Sequence, residues 1–181
     1  MPQLTIALPK GRLLDRSLRA LAAAGLRFPD AHSDSRRLMF VDANGAARVI
    51  LVKPVDVVTY VEHGAADVGI VGEDVVRESG VDVLQPLTLP FGQCRIVVAG
   101  TPALQRANLR LLTNLRVATK YPRLTRAYFS QRGLSAEIIG LSGSIELGPA
   151  IGLADLLVDV VDTGRTLRDN GLVEIETILR C

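Results

Sequence analysis

Short apolar runs of strand length alternate with helix-length amphipathic segments along this 181-residue chain, and that alternation confines it to an α/β architecture. Residues 4–8 read as a buried strand, and Lys10-Gly11-Arg12 as a turn. Residues 14–24 read as a helix with Leu14, Leu18 and Leu21 on one face and Gly25 at its end. Runs 38–41 and 48–52 flank Asn44-Gly45, a hairpin signal. A helix over 55–62, a short buried strand over 67–71, a helix over 73–79 and a strand over 81–84 follow. Pro86 to Gly92 breaks the pattern, and 94–99 is then a strong β run. Beyond it the spacing predicts strands over 116–118, 136–139, 156–158 and 173–179, with helices over 124–132 and 145–151. Residues 101–112 carry little pattern and read as a surface loop. The reading is two lobes, 1–89 and 90–174, with 175–181 open to return to the first. Two such lobes would enclose a cleft, where small ligands bind.

Composition narrows the function classes. A net charge of +2 is no nucleic-acid footprint, and no apolar run approaches the roughly 18 residues of a membrane span. Met1-Pro2-Gln3 leads straight into a strand-like run with no signal peptide, so cytoplasm is the expected compartment. Cys94 and Cys181 are then expected as thiols, and Cys94 in a buried strand. His32 and His63 have no metal-ligand spacing, and no Ser-His-Asp or Cys-His set supports acyl transfer.

The chemistry concentrates where the apolar run Leu156-Leu157-Val158 meets Asp159, Asp162 and Thr163-Gly164-Arg165-Thr166. A strand feeding such a turn presents backbone N–H groups and hydroxyls to a phosphate at a helix start. Two carboxylates just before it suit sugar hydroxyls or a metal, and a ribose phosphate needs both kinds of contact. The same residues also fit an ordinary capped strand–helix turn. Lys10, Gly11 and Arg12 follow the first strand, where open α/β sheets bind ligands, and their charge suits polyphosphate; they equally fit a solvated basic turn. Ser144 and Glu146, in Gly143-Ser144-Ile145-Glu146, form a second small-residue loop or a plain helix start. Arg36 precedes a strand, and Tyr121 offers a ring for a base or a core residue at a helix start.

These pieces occur together in a recognisable order. Leu4-Thr5-Ile6-Ala7-Leu8-Pro9-Lys10-Gly11-Arg12, Tyr60-Val61-Glu62-His63-Gly64-Ala65-Ala66-Asp67-Val68-Gly69-Ile70, Phe91-Gly92-Gln93-Cys94-Arg95, Arg116-Val117-Ala118-Thr119-Lys120-Tyr121-Pro122, Gly143-Ser144-Ile145-Glu146-Leu147, Gly152-Leu153-Ala154-Asp155 and the 158–167 run span nearly the whole sequence. Together they resemble the short-form ATP phosphoribosyltransferases, the HisG family, which open histidine biosynthesis. The resemblance implies a two-lobed fold like type II periplasmic binding proteins, each lobe a mixed sheet flanked by helices. It implies transfer of phosphoribose from phosphoribosyl pyrophosphate to N1 of ATP, with Mg²⁺ carried by the substrate phosphates. It also implies a homodimer of catalytic subunits and a hetero-octamer with the histidyl-tRNA-synthetase-like HisZ regulatory subunit.

Residue by residue, Lys10 and Arg36 match positions that neutralise pyrophosphate. Asp162, Thr163, Gly164 and Thr166, with Arg165 among them and Asp159 before them, match the 5-phosphate loop. Ser144 and Glu146 match the second loop, Tyr121 an adenine neighbour, and Gly11, Arg12 and Lys53 further ATP or pyrophosphate contacts. Lys53 stands where many relatives carry arginine, which keeps the charge and loses the bidentate fork. Val58 stands where proline is frequent. Relatives usually continue beyond the position of Cys181 with the end of a strand and a helix that packs onto the first lobe. Two other readings stay open on the residues: a solute-binding module of the same architecture, which normally needs export, and the other major phosphoribosyltransferase type. The latter shares the acidic pair and Thr-Gly loop but leaves Lys10-Gly11-Arg12 and the 143–146 loop without a role.

Overall fold

The structure is a computed structural model that describes residues 4–112 and 114–181, so Met1-Pro2-Gln3 and Thr113 lie outside the described residues. The chain divides into two compact units, Met1–Gly92 and Gln93–Cys181.

The first unit holds β1 (Leu4–Pro9), α1 (Leu14–Ala23), β2 (Met39–Val41), β3 (Ala47–Val52), α2 (Pro54–Glu62), β4 (Val68–Gly69) and α3 (Glu73–Ser79). Its sheet runs β2-β3-β1-β4, with β3, β1 and β4 parallel and β2 antiparallel to β3. β1 is apolar without alternation because helices cover both its faces. Ile6 and Leu8 join Leu14, Phe28, Val49 and Leu51 on one side, while Ala7 joins Ile50, Val57 and Ala66 on the other. The Asn44-Gly45 turn joins β2 to β3, with Gly45 at φ 72. Asp42 steers this turn. Its buried carboxylate accepts the amides of Arg27 at 2.7 Å and Asn44 at 3.0 Å, which holds it below the usual carboxylate range.

Two expectations change here. Residues 81–84 form no strand, and Leu84 stands 96% exposed. β4 is only two residues long at the sheet edge, so no neighbouring ladder recruits the next apolar run. For the same reason the expected strand over 67–71 is neither long nor buried: Val68 is 41% exposed.

The second unit holds β5 (Arg95–Gly100), α4 (Pro102–Gln105), a 3-10 turn at Leu109–Leu111, β6 (Leu115–Thr119), α5 (Pro122–Gln131), β7 (Ala136–Gly140), α6 (Leu147–Ala150), β8 (Leu156–Val161), α7 (Arg165–Asp169) and β9 (Val173–Arg180). Its sheet runs β7-β6-β8-β5-β9, parallel from β7 to β8 and antiparallel from β8 to β9. Central β5 and β8 bury both faces. Ile96, Val98, Leu156 and Val158 pack against Phe129 and Tyr128 on one side, and Val97, Ala99, Leu157 and Val161 against Ile145 and Leu167 on the other. The end of the chain stays in this unit rather than returning to the first. β9 runs beside β5 from Val173 to Arg180, and Cys181 exchanges both backbone hydrogen bonds with Cys94. Cys94 thus sits half-buried just ahead of β5, its Sγ 2.8 Å from that of Cys181 with no disulfide between them. The helix expected over 145–151 shrinks to one turn, because Pro149 lacks a donor and Gly148 packs against Ala118. The 101–112 segment supplies short helical turns rather than a bare loop. Among the described residues no helix is long and apolar enough to cross a membrane.

Candidate active site

In the second unit β8 delivers its last residues into a cavity of about 190 Å³. Its walls are the segment from Asp159 to Leu167 and Glu146. β8 is pinned between β6 and β5, and Val161 and Leu167 are anchored in the core at either end of the turn, so the loop between them has little freedom. Asp159 shares the pleat face of Leu157 and Val161, is 8% exposed, and accepts the Val160 amide at 2.8 Å. Asp162 and Thr163 are exposed, and Gly164 takes the left-handed conformation at φ 72 directly before α7. The Thr163 hydroxyl accepts the Arg165 amide at 3.4 Å, and Arg165 pairs with Asp169 at 3.4 Å on the solvent side. Glu146 reaches the cavity because fully buried Ile145 fixes the turn that carries it. Ser144 lies two residues earlier, exposed, at φ 51, and does not line the cavity.

Behind the loop stands a charged group to which sequence reading assigned no role. Arg95, at the start of β5, donates to both carboxylate oxygens of Glu174 on β9, at 2.5 and 3.2 Å, and to the Asp162 carbonyl at 3.3 Å. Arg168 donates to the Thr163 carbonyl at 3.2 Å. Its side-chain hydrogen bond to Glu174 and the charge beside it hold the Arg95 guanidinium above its ordinary pKa, so it stays charged. Arg95 lies in a motif that the sequence analysis singled out; Glu174 and Arg168 give no local signal.

In the first unit, the basic residues gather at the carboxyl end of the parallel strands. Pro9 and Val52 are register partners, and the Lys10 amide donates to the Val52 carbonyl at 2.8 Å. Lys53 therefore follows β3 beside Lys10, which follows β1. The Lys10 ammonium reaches the Ser35 carbonyl at 3.5 Å, next in chain to Arg36. Gly11 turns at φ 101, where only glycine is at ease, and Arg12, Arg36 and Lys53 are exposed. Lys10 and Lys53 thus follow the ends of adjacent parallel strands, and Arg36 follows the residue whose carbonyl Lys10 meets.

Tyr121 departs from the expected base-stacking role. It is 8% exposed and packs with Phe129, Leu156 and Val158 in the core, while its amide donates to the Thr119 hydroxyl at 2.8 Å. Pro122 opens α5 immediately after it and turns the ring inward with the helix.

The family model described as HisG, ATP phosphoribosyltransferase, matches residues 53–181. The ATP phosphoribosyltransferase of Syntrophotalea carbinolica is 49% identical over 176 residues, which cover 97% of this chain and 80% of that protein. The structure of an ATP phosphoribosyl transferase (HisG:HisZ) complex from Thermotoga maritima superposes with a TM-score of 0.83 at 35% identity, covering 98% of this chain and 84% of that one. The GluR0 ligand-binding core in complex with L-glutamate shares the fold alone, with a TM-score of 0.57 at 11% identity over 99% of this chain and 81% of that one.

Proposed function

Because this chain belongs to the ATP phosphoribosyltransferase family, we propose that it transfers the phosphoribosyl group of phosphoribosyl pyrophosphate to N1 of ATP, the opening step of histidine biosynthesis. The observation that carries the assignment of roles is the cavity in which Glu146 meets Asp159 to Thr166. Its loop amides and the Thr163 and Thr166 hydroxyls take the ribose 5-phosphate, and the Asp159 and Asp162 carboxylates take the ribose hydroxyls. Lys10 and Arg36, with Gly11, Arg12 and Lys53 around them, take the pyrophosphate.

The bond from ribose C1 to the pyrophosphate oxygen breaks, its electron pair leaves with pyrophosphate, and the N1 lone pair of adenine forms the new bond to C1. N1 is unprotonated at neutral pH, so no strong base is required. The barrier lies in positive charge on the ribose and negative charge on the leaving group. The carboxylates beside the ribose and the ammonium and guanidinium groups at the strand ends oppose those charges, and the rest is positioning. The cavity's carboxylates, Asp159, Asp162 and Glu146, are hard oxygen groups compatible with a Mg²⁺ that arrives on the substrate phosphates, and they do not themselves converge as a three-ligand metal site. When bound through the substrate phosphates the ion supplies charge neutralisation for the departing pyrophosphate. The Thermotoga maritima relative forms a HisG:HisZ complex, which supports a HisZ-type partner for this chain; the homodimer of catalytic subunits, the hetero-octamer and the cytoplasmic compartment are what the family resemblance implies.

The test mixes the purified chain with ATP, phosphoribosyl pyrophosphate and Mg²⁺, with pyrophosphatase present, and follows phosphoribosyl-ATP by absorbance, with and without a HisZ subunit. Product that disappears with EDTA and returns with Mg²⁺ is expected. No product under either condition would reject catalysis.

A further inference from the structure

Two guanidiniums hold two successive carbonyls of the Asp159 to Thr166 loop: Arg95 that of Asp162 at 3.3 Å, and Arg168 that of Thr163 at 3.2 Å. No peptide bond here is cis, and in a trans peptide the C=O and the following N–H point to opposite sides. Turning these two carbonyls toward the guanidiniums therefore turns the amides of Thr163 and Gly164 the other way. Arg95, Arg168 and Glu174 do not line the cavity, whereas residues 159–167 do, so the amides face it. Among the described residues neither amide has an acceptor within the protein. The left-handed Gly164 completes a run of adjacent N–H groups of the kind that receives an anion.

Glu174 sets this arrangement. It takes both the Nε and an Nη of Arg95 and so fixes the plane of the guanidinium, leaving the other Nη aimed at the Asp162 carbonyl. The backing is close. A Cβ on Gly164 would lie 3.1 Å from a Glu174 carboxylate oxygen and 3.2 Å from an Arg168 Nη. The Glu174 carbonyl is in turn tied to the Gln105 amide at 2.9 Å.

We propose that the Arg95–Glu174 pair, together with Arg168, forms a positioning device that aims the Thr163 and Gly164 amides at a ribose 5-phosphate dianion. It rests on the reading of this loop as the phosphoribosyl pyrophosphate site and names the residues that preorganise it. None of the three touches the ligand. Their removal leaves the amides in place but free to rotate, which costs phosphate affinity rather than fold.

The experiment titrates ¹⁵N-labelled full-length protein with ribose 5-phosphate and follows the Thr163 and Gly164 amide resonances. The variants are Arg95→Met, Arg95→Lys and the control Arg132→Met. Arg132 makes an ion pair of the same 2.5 Å length with Glu176 on the same strand β9, but it does not touch the loop. Wild type and Arg132→Met should shift both amides with the same affinity. Arg95→Met should bind about tenfold or more weakly, as expected when a binding group loses its orientation, and Arg95→Lys should fall between. In turnover, the KM for phosphoribosyl pyrophosphate should rise for Arg95→Met with that for ATP unchanged. Equal weakening in Arg95→Met and Arg132→Met would reduce Arg95 to a structural pair and overturn the proposal. No amide shift in the wild type would overturn it together with the reading of the loop. Amide shifts without turnover would overturn the catalytic reading alone.

Discussion

Replacing Gly164 by alanine isolates the backbone conformation on which the loop proposed to bind phosphate depends. At φ 72 an L-residue is disfavoured, and the left-handed region costs an alanine roughly 1–2 kcal/mol. The new Cβ also meets Glu174 Oε1 at 3.1 Å and an Arg168 Nη at 3.2 Å. Both are ends of flexible side chains, but Glu174 is held by Arg95 and Arg168 by the Thr163 carbonyl, so yielding disturbs rotamers at about 0.5–1.5 kcal/mol. Gly133→Ala is the matched control. Gly133 follows α5 at φ 66 with nothing within 4 Å of its Cβ position, so it pays the backbone cost alone.

With about 4–8 °C of Tm per kcal/mol in a unit of this size, the backbone cost alone should lower Tm by about 4–16 °C in Gly133→Ala, and crowding should take Gly164→Ala about 2–12 °C lower than an uncrowded glycine site would go. The chain has no tryptophan, and two of its three tyrosines, Tyr121 and Tyr128, belong to the second unit. Near-ultraviolet circular dichroism of tyrosine therefore follows the unfolding of that unit. Ribose 5-phosphate affinity should fall in Gly164→Ala and hold in Gly133→Ala. Equal Tm losses for the two variants would refute the crowding argument. A Gly164→Ala protein as stable as wild type would refute the conformational one.

Three further outcomes follow from the same structure. Asp162→Ala should weaken phosphoribosyl pyrophosphate far more than ATP in paired titrations, and equal losses with the fold intact would contradict its role at the ribose. Tyr128→Phe should flatten both pH limbs of stability in urea denaturation. Chiefly the Tyr128 hydroxyl, at 2.5 Å, and then Arg132 hold the Glu176 carboxyl below its ordinary 4.5, so its contribution is present above pH 4.5 and lost as pH falls below it. Burial first, then the Glu176 carboxylate, raises the Tyr128 phenol above 10.0, so its contribution is present below pH 10.0 and lost as pH rises beyond it. Unchanged slopes in the variant would sink this account. Phe129→Ala removes a ring that is 2% exposed and stacked edge-on to Tyr128 at 5.2 Å. It should cost the second unit about 3–5 kcal/mol, and a loss under about 1 kcal/mol would mean the core refills the hole.

The linear pattern of residues by itself determined the α/β class, most strand and helix positions, the Asn44-Gly45 hairpin and the turn from β8 into α7. Each is a local property. The 94–99 run reads as a strong β strand, which the structure forms over Arg95–Gly100, and an acidic pair running into Thr-Gly reads as a loop at a strand's end. Tertiary structure decided what depends on distant partners. Residues 81–84 have strand composition but no ladder to join, and Tyr121 has the chemistry of a stacking ring but is turned into the core by the start of α5. Glu146 joins Asp159 to Thr166 only because buried Ile145 holds its turn against the same sheet. Arg95 and Glu174, 79 positions apart in sequence, become one device because β5 and β9 pair as neighbours. Periodicity and turn chemistry report which face of an element is apolar and where it ends. Which side chain an arginine meets is set by strand order and register, and these emerge only when the sheets close.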